Sequence, residues 1–210
     1  MARSVRYALA VAALFALACG GKADPEVEAT PEPLPFPTMA FAGQNVALYP
    51  LTIVAAEPEL GWDAQLRPRE AALQAGDSVI ALFLTERTPE VEWVLPDALR
   101  QAADRAPGML PDPDHMGTGV LRAEGIDRIP DPLASELRNL TGVAADRWAA
   151  IPASLVFRQA AEGNGRAELT LLVVDARRGR VAFRTVASGE GDDPWSALWD
   201  ALTTLVPDLP

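Results

Sequence analysis

The one run of this sequence that combines the ligand types of a divalent-metal site is Pro-Asp-Pro-Asp-His-Met-Gly, residues 111–117. Asp112, Asp114 and His115 offer two carboxylates and an imidazole, and both groups bind divalent cations. His115 is the single histidine and Cys19 the single cysteine, so no further nitrogen or sulfur ligand remains to complete a zinc set. The missing ligands favour a solvated loop, and the alternative is the site of a metal-dependent hydrolase.

Motifs of other catalytic classes are missing from the sequence. Ser135 and Ser154 lie in no Gly-x-Ser-x-Gly elbow. The glycine-containing runs 162–166 and 187–191 lack the helix and the lysine of a phosphate-binding loop. The paired acids at 192–193 precede a proline and predict a helix cap rather than an acid–base pair. We therefore expect no catalytic residue, no bound metal and no cofactor.

The N-terminus carries the signal for a different chemistry, the attachment of lipid. Arg3 and Arg6 precede an apolar run over residues 7–18, which ends at Cys19. This order is typical of a secretory signal, and the run is too short to span a bilayer as a helix. The run Phe-Ala-Leu-Ala-Cys at 15–19 resembles the bacterial lipobox, and the resemblance implies cleavage before Cys19, acylation of its thiol and acylation of the new amine.

Two further observations bear on this lipid anchor. An ordinary signal peptide that ends near a cysteine is the alternative, but no second cysteine exists to explain Cys19 by a disulfide. Gly20 and Gly21 stand where an Asp often retains lipoproteins in the inner membrane, so the resemblance implies the periplasmic side of the outer membrane. Several acyl chains together would anchor the chain stably.

The chain divides into a signal peptide (1–18), a lipid-anchored linker rich in proline and acidic residues (19–39) and a globular domain (40–210). Residues 22–38 hold five prolines among acidic residues and cannot build a core. Such a linker is extended, and at about 3.1 Å per residue it reaches about 50 Å from the membrane.

The charge of the chain excludes one class of partner. The formal net charge of −11 becomes −13 once the signal, with two arginines and no acidic residue, is removed. This charge argues against nucleic-acid binding and against electrostatic docking on anionic lipid. We expect the lipid anchor, rather than charge, to hold the protein to its membrane.

The domain that must position any site is predicted as an α/β domain with a mixed sheet of four or five strands and about four helices. Alternating apolar residues in 166–188, with a turn at Asp175–Gly179, predict a C-terminal antiparallel hairpin. Strands are also predicted at 45–49, 91–95 and 147–158, with Pro152 at a bulge or edge. Helices are predicted at 69–87, with Asp77 facing outward, and at 96–105, after 131 and after 193.

The last helix carries the one candidate partner surface. Trp195 and Trp199 are four residues apart and lie on the same side of a helix. One interpretation makes both tryptophans core residues, and the other makes them part of a protein-binding surface, where Trp is enriched.

The order of elements also resembles a known group of proteins. The segments Val-Ala-Leu-Tyr-Pro-Leu (46–51), Glu-Trp-Val-Leu-Pro-Asp-Ala-Leu-Arg-Gln-Ala (92–102) and the hairpin strands resemble periplasmic lipoproteins with the fold of the TolB N-terminal domain. These include the curli-assembly lipoprotein CsgG and activators of peptidoglycan synthases. The resemblance implies a module that binds a protein partner and has no catalytic residues.

Three hypotheses follow. The first is a non-enzymatic outer-membrane lipoprotein that binds another envelope protein as an accessory module. The alternatives are a subunit of an oligomeric secretion assembly and a metal-dependent periplasmic hydrolase acting through the 112–115 cluster. The sequence leaves the partner and the oligomeric state open.

Overall fold

A computed structural model describes residues 34–160 and 163–206, and these residues form a sheet covered by helices on both faces. Four α-helices lie in these ranges: α1 (Arg69–Arg87), α2 (Pro96–Arg105), α3 (Leu133–Ala144) and α4 (Pro194–Leu205). The six strands are β1 (Asn45–Leu48), β2 (Val54–Ala56), β3 (Glu92–Val94), β4 (Trp148–Gln159), β5 (Gly165–Asp175) and β6 (Arg180–Gly191). The predicted α/β domain with a mixed sheet is confirmed.

The strand order is β3-β1-β4-β5-β6, and β2 also pairs with β4. β1 runs parallel to β3 and to β4, whereas β5 is antiparallel to both β4 and β6. The predicted hairpin is therefore present. Its turn uses Gly179 at a φ of +62°, a backbone conformation that glycine adopts without steric cost.

The bulge predicted at Pro152 is also present, because the register of β4 against β5 shifts between Pro152 and Ser154. Beyond this bulge β4 accepts a parallel partner that the sequence did not predict. The chain leaves β1 at Leu48, passes Pro50 and returns as β2 along Leu155–Phe157 of β4. The sheet consequently has six strands rather than four or five.

Two apolar cores lie on opposite faces of the sheet. The first packs α1 and α4 on residues such as Leu48, Leu155, Leu171 and Val173. The second packs α2 and α3 on alternate residues such as Leu172 and Val174. Because both faces of β5 are covered, its central residues are apolar at successive positions rather than at every second one.

Candidate functional site

Arg100 of α2 binds three carboxylates near one edge of the sheet. Its guanidinium donates hydrogen bonds of 2.8 Å to Asp77 of α1, 2.9 Å to Asp97 of its own helix, and 2.7 and 2.8 Å to Asp114. Asp114 lies in a 3-10 turn at Pro113–His115. Arg100 therefore links α1, α2 and the 3-10 turn. The hydrogen bonds to the three carboxylates raise the pKa of Arg100, and the bond to Asp114 contributes most.

This charged cluster lies beyond the carboxyl ends of the parallel strands β1 and β3. Leu51 follows β1 and Leu95 follows β3, and they line two depressions of about 500 and 410 Å³ that share Arg100. From β1 the chain passes through β2 and α1 to β3, whereas β4 lies on the other side of β1 and is reached through helices on the opposite face. Ligands of open α/β sheets bind in crevices at such switch points. Arg69 and Glu70 also line the larger depression, so the crevice presents charged groups of both signs and suits a polar group.

Asp77 is the residue of this cluster that sequence reasoning placed wrongly. It was predicted on the outward face of α1, but it is only 6% exposed. Its Oδ1 accepts the backbone N–H of Leu51 at 2.7 Å, and its Oδ2 accepts Arg100. Burial raises the pKa of Asp77, although the hydrogen bonds from Leu51 and Arg100 act in the opposite direction.

The structure separates the three candidate metal ligands into two different pairs. Asp114 contacts Arg100, whereas a hydrogen bond of 2.7 Å joins Nδ1 of His115 to Oδ2 of Asp112. Burial acts to raise the pKa of Asp112, but the hydrogen bonds from His115 and from the Asp114 backbone lower it. The His115 side chain is 83% exposed. Within residues 34–160 and 163–206, no three His, Cys, Asp or Glu side chains are grouped to hold a metal ion.

The two tryptophans of α4 have different environments. Trp195 is half-buried against the first core, where its ring passes over Gly76 of α1. Trp199 packs edge-to-face on Phe83 with ring centroids 5.1 Å apart, yet 37% of it stays exposed. Trp195 is therefore the more buried of the two tryptophans, and Trp199 keeps the larger exposed surface.

Gly189 and Gly191, alternate residues at the end of β6, allow the backbone of α4 to lie directly against the strand. The sequence analysis did not predict this role. A Cβ on Gly189 would lie 2.0 Å from the backbone nitrogen of Ala201, and one on Gly191 would lie 2.5 Å from that of Ala197. Asp193 caps the helix by accepting N–H groups at 2.9 and 3.2 Å, and Ser196 completes a capping box. The signal for this packing is Gly-x-Gly at the end of a strand, directly before a capped helix.

Cys19 and residues 20–33 of the predicted linker lie outside the described residues. Phe36, which was predicted to belong to the linker, is buried in the first core. Among the residues that the structure describes, no helix combines the length and the apolar character needed to cross a membrane. The lipid anchor therefore stays a prediction from the sequence.

Comparison with known proteins finds no matching protein family and no matching curated protein. Among solved structures, the PelC dodecamer from Paraburkholderia phytofirmans is similar at 13% identity and a TM-score of 0.37, covering 84% of this chain and 96% of that chain. A PelC dodecamer with one leucine replaced by methionine gives 12% identity and the same TM-score, covering 83% and 94%. Likeness at this level carries no argument about function, and the resemblance to CsgG stays a prediction.

Proposed function

We propose that this protein is a non-enzymatic lipoprotein of the bacterial outer membrane, whose domain faces the periplasm and binds another envelope protein. The anchor part of the proposal is supported by the lipobox-like run that ends at Cys19. The binding part is supported by one observation above the others, the exposed face of Trp199 on a firmly held helix.

Trp199 has the features of an interface anchor. Its ring is fixed on one side by Phe83, so little side-chain entropy is lost when a partner covers the rest. α4 itself is capped at Asp193 and lies directly against the backbone of β6. A large aromatic side chain on such a rigid element is the usual centre of a protein–protein contact.

The side chains that could act in catalysis are already engaged with each other, which supports the non-enzymatic part. Asp114 and Asp77 accept from Arg100, and His115 pairs with Asp112 in open solvent. A metal-dependent hydrolase would need Asp114 to leave Arg100. Metal analysis of the purified protein tests this point, since tightly bound stoichiometric metal that is lost in His115→Ala would contradict the proposal.

The binding part is tested by crosslinking in intact cells followed by pull-down of the lipidated full-length protein. Trp199→Ala should reduce recovery of the partner by about tenfold or more, because a central interface tryptophan contributes about 2 kcal/mol or more. Met109→Ala is the matched control, since Met109 is 81% exposed beside the other helical layer. If both variants keep the partner while circular dichroism shows them folded, Trp199 is not the binding surface.

A further inference from the structure

One end of this acidic protein is built from arginines. Five of them lie in or beside the β5–β6 turn and are called the arginine end: Arg128, Arg147, Arg177, Arg178 and Arg180. Two of the acidic residues among them are paired, since Arg177 contacts Asp146 while Arg147 and Arg178 contact Asp175. Asp127 is a third acidic residue at this end, exposed beside Arg128, and Glu90 and Glu92 lie beside β3 at the opposite edge of the sheet.

Two of these arginines have capacity to bind an anion. Arg128 and Arg180 are exposed and are held side by side by a β-bridge between their backbones. Within residues 34–160 and 163–206, no carboxylate lies within ion-pair distance of either side chain. Beside them is a depression of about 370 Å³, lined by Arg147, Arg178 and Arg180 and also by the acidic residues Asp127 and Asp175. A phosphate-sized group would meet several guanidinium groups there, the donors best suited to it.

The described chain enters the domain at this same end. The backbone N–H of Phe36 donates to the carbonyl of Leu205 at 2.8 Å, and its ring packs edge-to-face on Phe183 at 5.8 Å. Phe183 follows Arg180 by three residues in β6, which is about 10 Å along a strand. Residues 20–33 separate Cys19 from the first described residue, Leu34, so this end can lie at any distance up to about 45 Å from Cys19, contact with the bilayer included.

We propose that the arginine end binds the anionic phosphate head groups of the bilayer to which Cys19 tethers the chain. The inference rests on the proposed function in one respect, since the lipid anchor brings this end to a membrane. The net charge predicts no electrostatic docking, but it averages over the whole molecule. Charges more than about 10 Å from a surface are largely screened, so the face nearest the membrane decides the interaction. The contact orients the domain and leaves the opposite end of the sheet, with the Arg100 crevice, facing the periplasm.

The test uses the chain from residue 19 with Cys19→Ser, so that no acyl chain contributes to binding. This chain contains the whole compact unit Glu32–Pro210, and both cores are built within it. Flotation is measured with vesicles of phosphatidylcholine alone and with vesicles that also contain phosphatidylglycerol. We expect binding to the anionic vesicles only, and its loss at high salt. Arg128→Glu with Arg180→Glu should reduce partitioning by about tenfold or more, given the usual contribution of a basic residue near an anionic surface.

Arg67→Glu with Arg166→Glu is the control, because it changes the net charge equally at exposed positions away from the arginine end. It should keep most of the binding, and thermal melts should show both double variants folded. Equal loss in the two double variants, or no preference for anionic vesicles, would overturn the proposal. Binding to polyglutamate without binding to vesicles would also overturn it and assign the surface to an acidic protein. The vesicle experiment uses protein without acyl chains, so its outcome does not depend on whether Cys19 is lipidated in cells. Absence of lipidation at Cys19 would be seen only in cell fractionation.

Discussion

At the scale of single residues, two buried aspartates have pKa values shifted in opposite directions. For both, burial acts to raise the pKa. The pKa of Asp77 stays raised. The pKa of Asp175 is lowered, because Asp175 accepts a hydrogen bond of 2.6 Å from Arg147 and a further one from the backbone N–H of Arg178, and both arginines are positively charged. The contributions of the two aspartates to folding therefore depend on pH with opposite signs.

Asp77→Asn and Asp175→Asn test this contrast through urea melts at a series of acidic pH values. As pH rises above the ordinary aspartate pKa of 3.8, Asp77 loses its proton in the unfolded chain before it does in the folded one. The contribution of Asp77 to the free energy of unfolding therefore decreases as pH rises. The stability of the wild type relative to Asp77→Asn should therefore increase as pH falls. Asp175 stabilises the fold above 3.8 and loses this contribution as pH falls through its lowered pKa. The advantage of the wild type over Asp175→Asn should therefore shrink on acidification, and slopes of the same sign would contradict the assignment.

The sequence predicted which residues could do chemistry but not which of them would meet. Asp112, Asp114 and His115 are neighbours in the chain, and a common metal site was the alternative to a solvated loop. The partner of Asp114 is instead Arg100, and the same arginine explains the burial of Asp77. Such contacts depend on how three segments pack, which periodicity within one helix does not report.

At the scale of elements, the register of β5 gives the prediction with the largest effect on stability. Leu171 is fully buried beneath the α1 and α4 layer, so Leu171→Ala should cost about 2–5 kcal/mol through lost burial and a residual cavity. Glu168 lies on the other face, 31% exposed and paired with Arg158. Glu168→Ala should therefore stay within about 0.5 kcal/mol. Urea melts measure both changes, and equal effects would place the register off by one residue, because such a slip exchanges the two faces.

The close contact of β6 with α4 gives a second prediction at this scale. Gly189→Ala would place a methyl group against the backbone of Ala201, which cannot move aside as a flexible side chain would, so it should cost about 1–3 kcal/mol. Gly142→Ala is the control, since Gly142 lies in α3 with open space around its Cβ position. That change should stabilise the fold by about 0.4–1 kcal/mol. Thermal melts would contradict the packing role if the two substitutions gave the same sign.

Elements with strong local signals were predicted well, and those that depend on distant pairing were not. α1 has the predicted bounds of 69–87 because its apolar stripe is long, and Gly76 lies where Leu51 and Trp195 approach the helix. β2 was missed because three residues show no period, and the strand exists only through its pairing with β4. A glycine often marks the end of a helix, but α3 continues through Gly142 and ends at Ala144. The residue with a positive φ after this helix is instead Asp146, at +74°.

At the scale of the whole molecule, five of the arginines of this acidic protein gather at one end. The arginine end lies where the described chain enters the domain, and the carboxylates around Arg100 lie beyond the opposite ends of the same parallel strands. The sequence predicted the net charge but not this separation, since the arginines that meet come from residues 128, 147 and 177–180. A tether near one end and a crevice at the other would give the domain a preferred orientation.

The last prediction concerns what holds the whole molecule to its membrane. If Cys19 is acylated, Cys19→Ser should leave the protein uncleaved or move it out of the membrane fraction, because the acidic domain has no other strong attachment. Cells expressing the full-length chain are fractionated, and the membranes are washed at high salt. The wash distinguishes attachment by the lipid anchor from attachment by the arginine end, because the latter is electrostatic and screened by salt. The wild type should stay in the membrane fraction through the wash, and any processed Cys19→Ser protein should be released by it. A processed Cys19→Ser protein that resists the wash would mean that the attachment does not depend on this cysteine, and the lipoprotein proposal would be wrong.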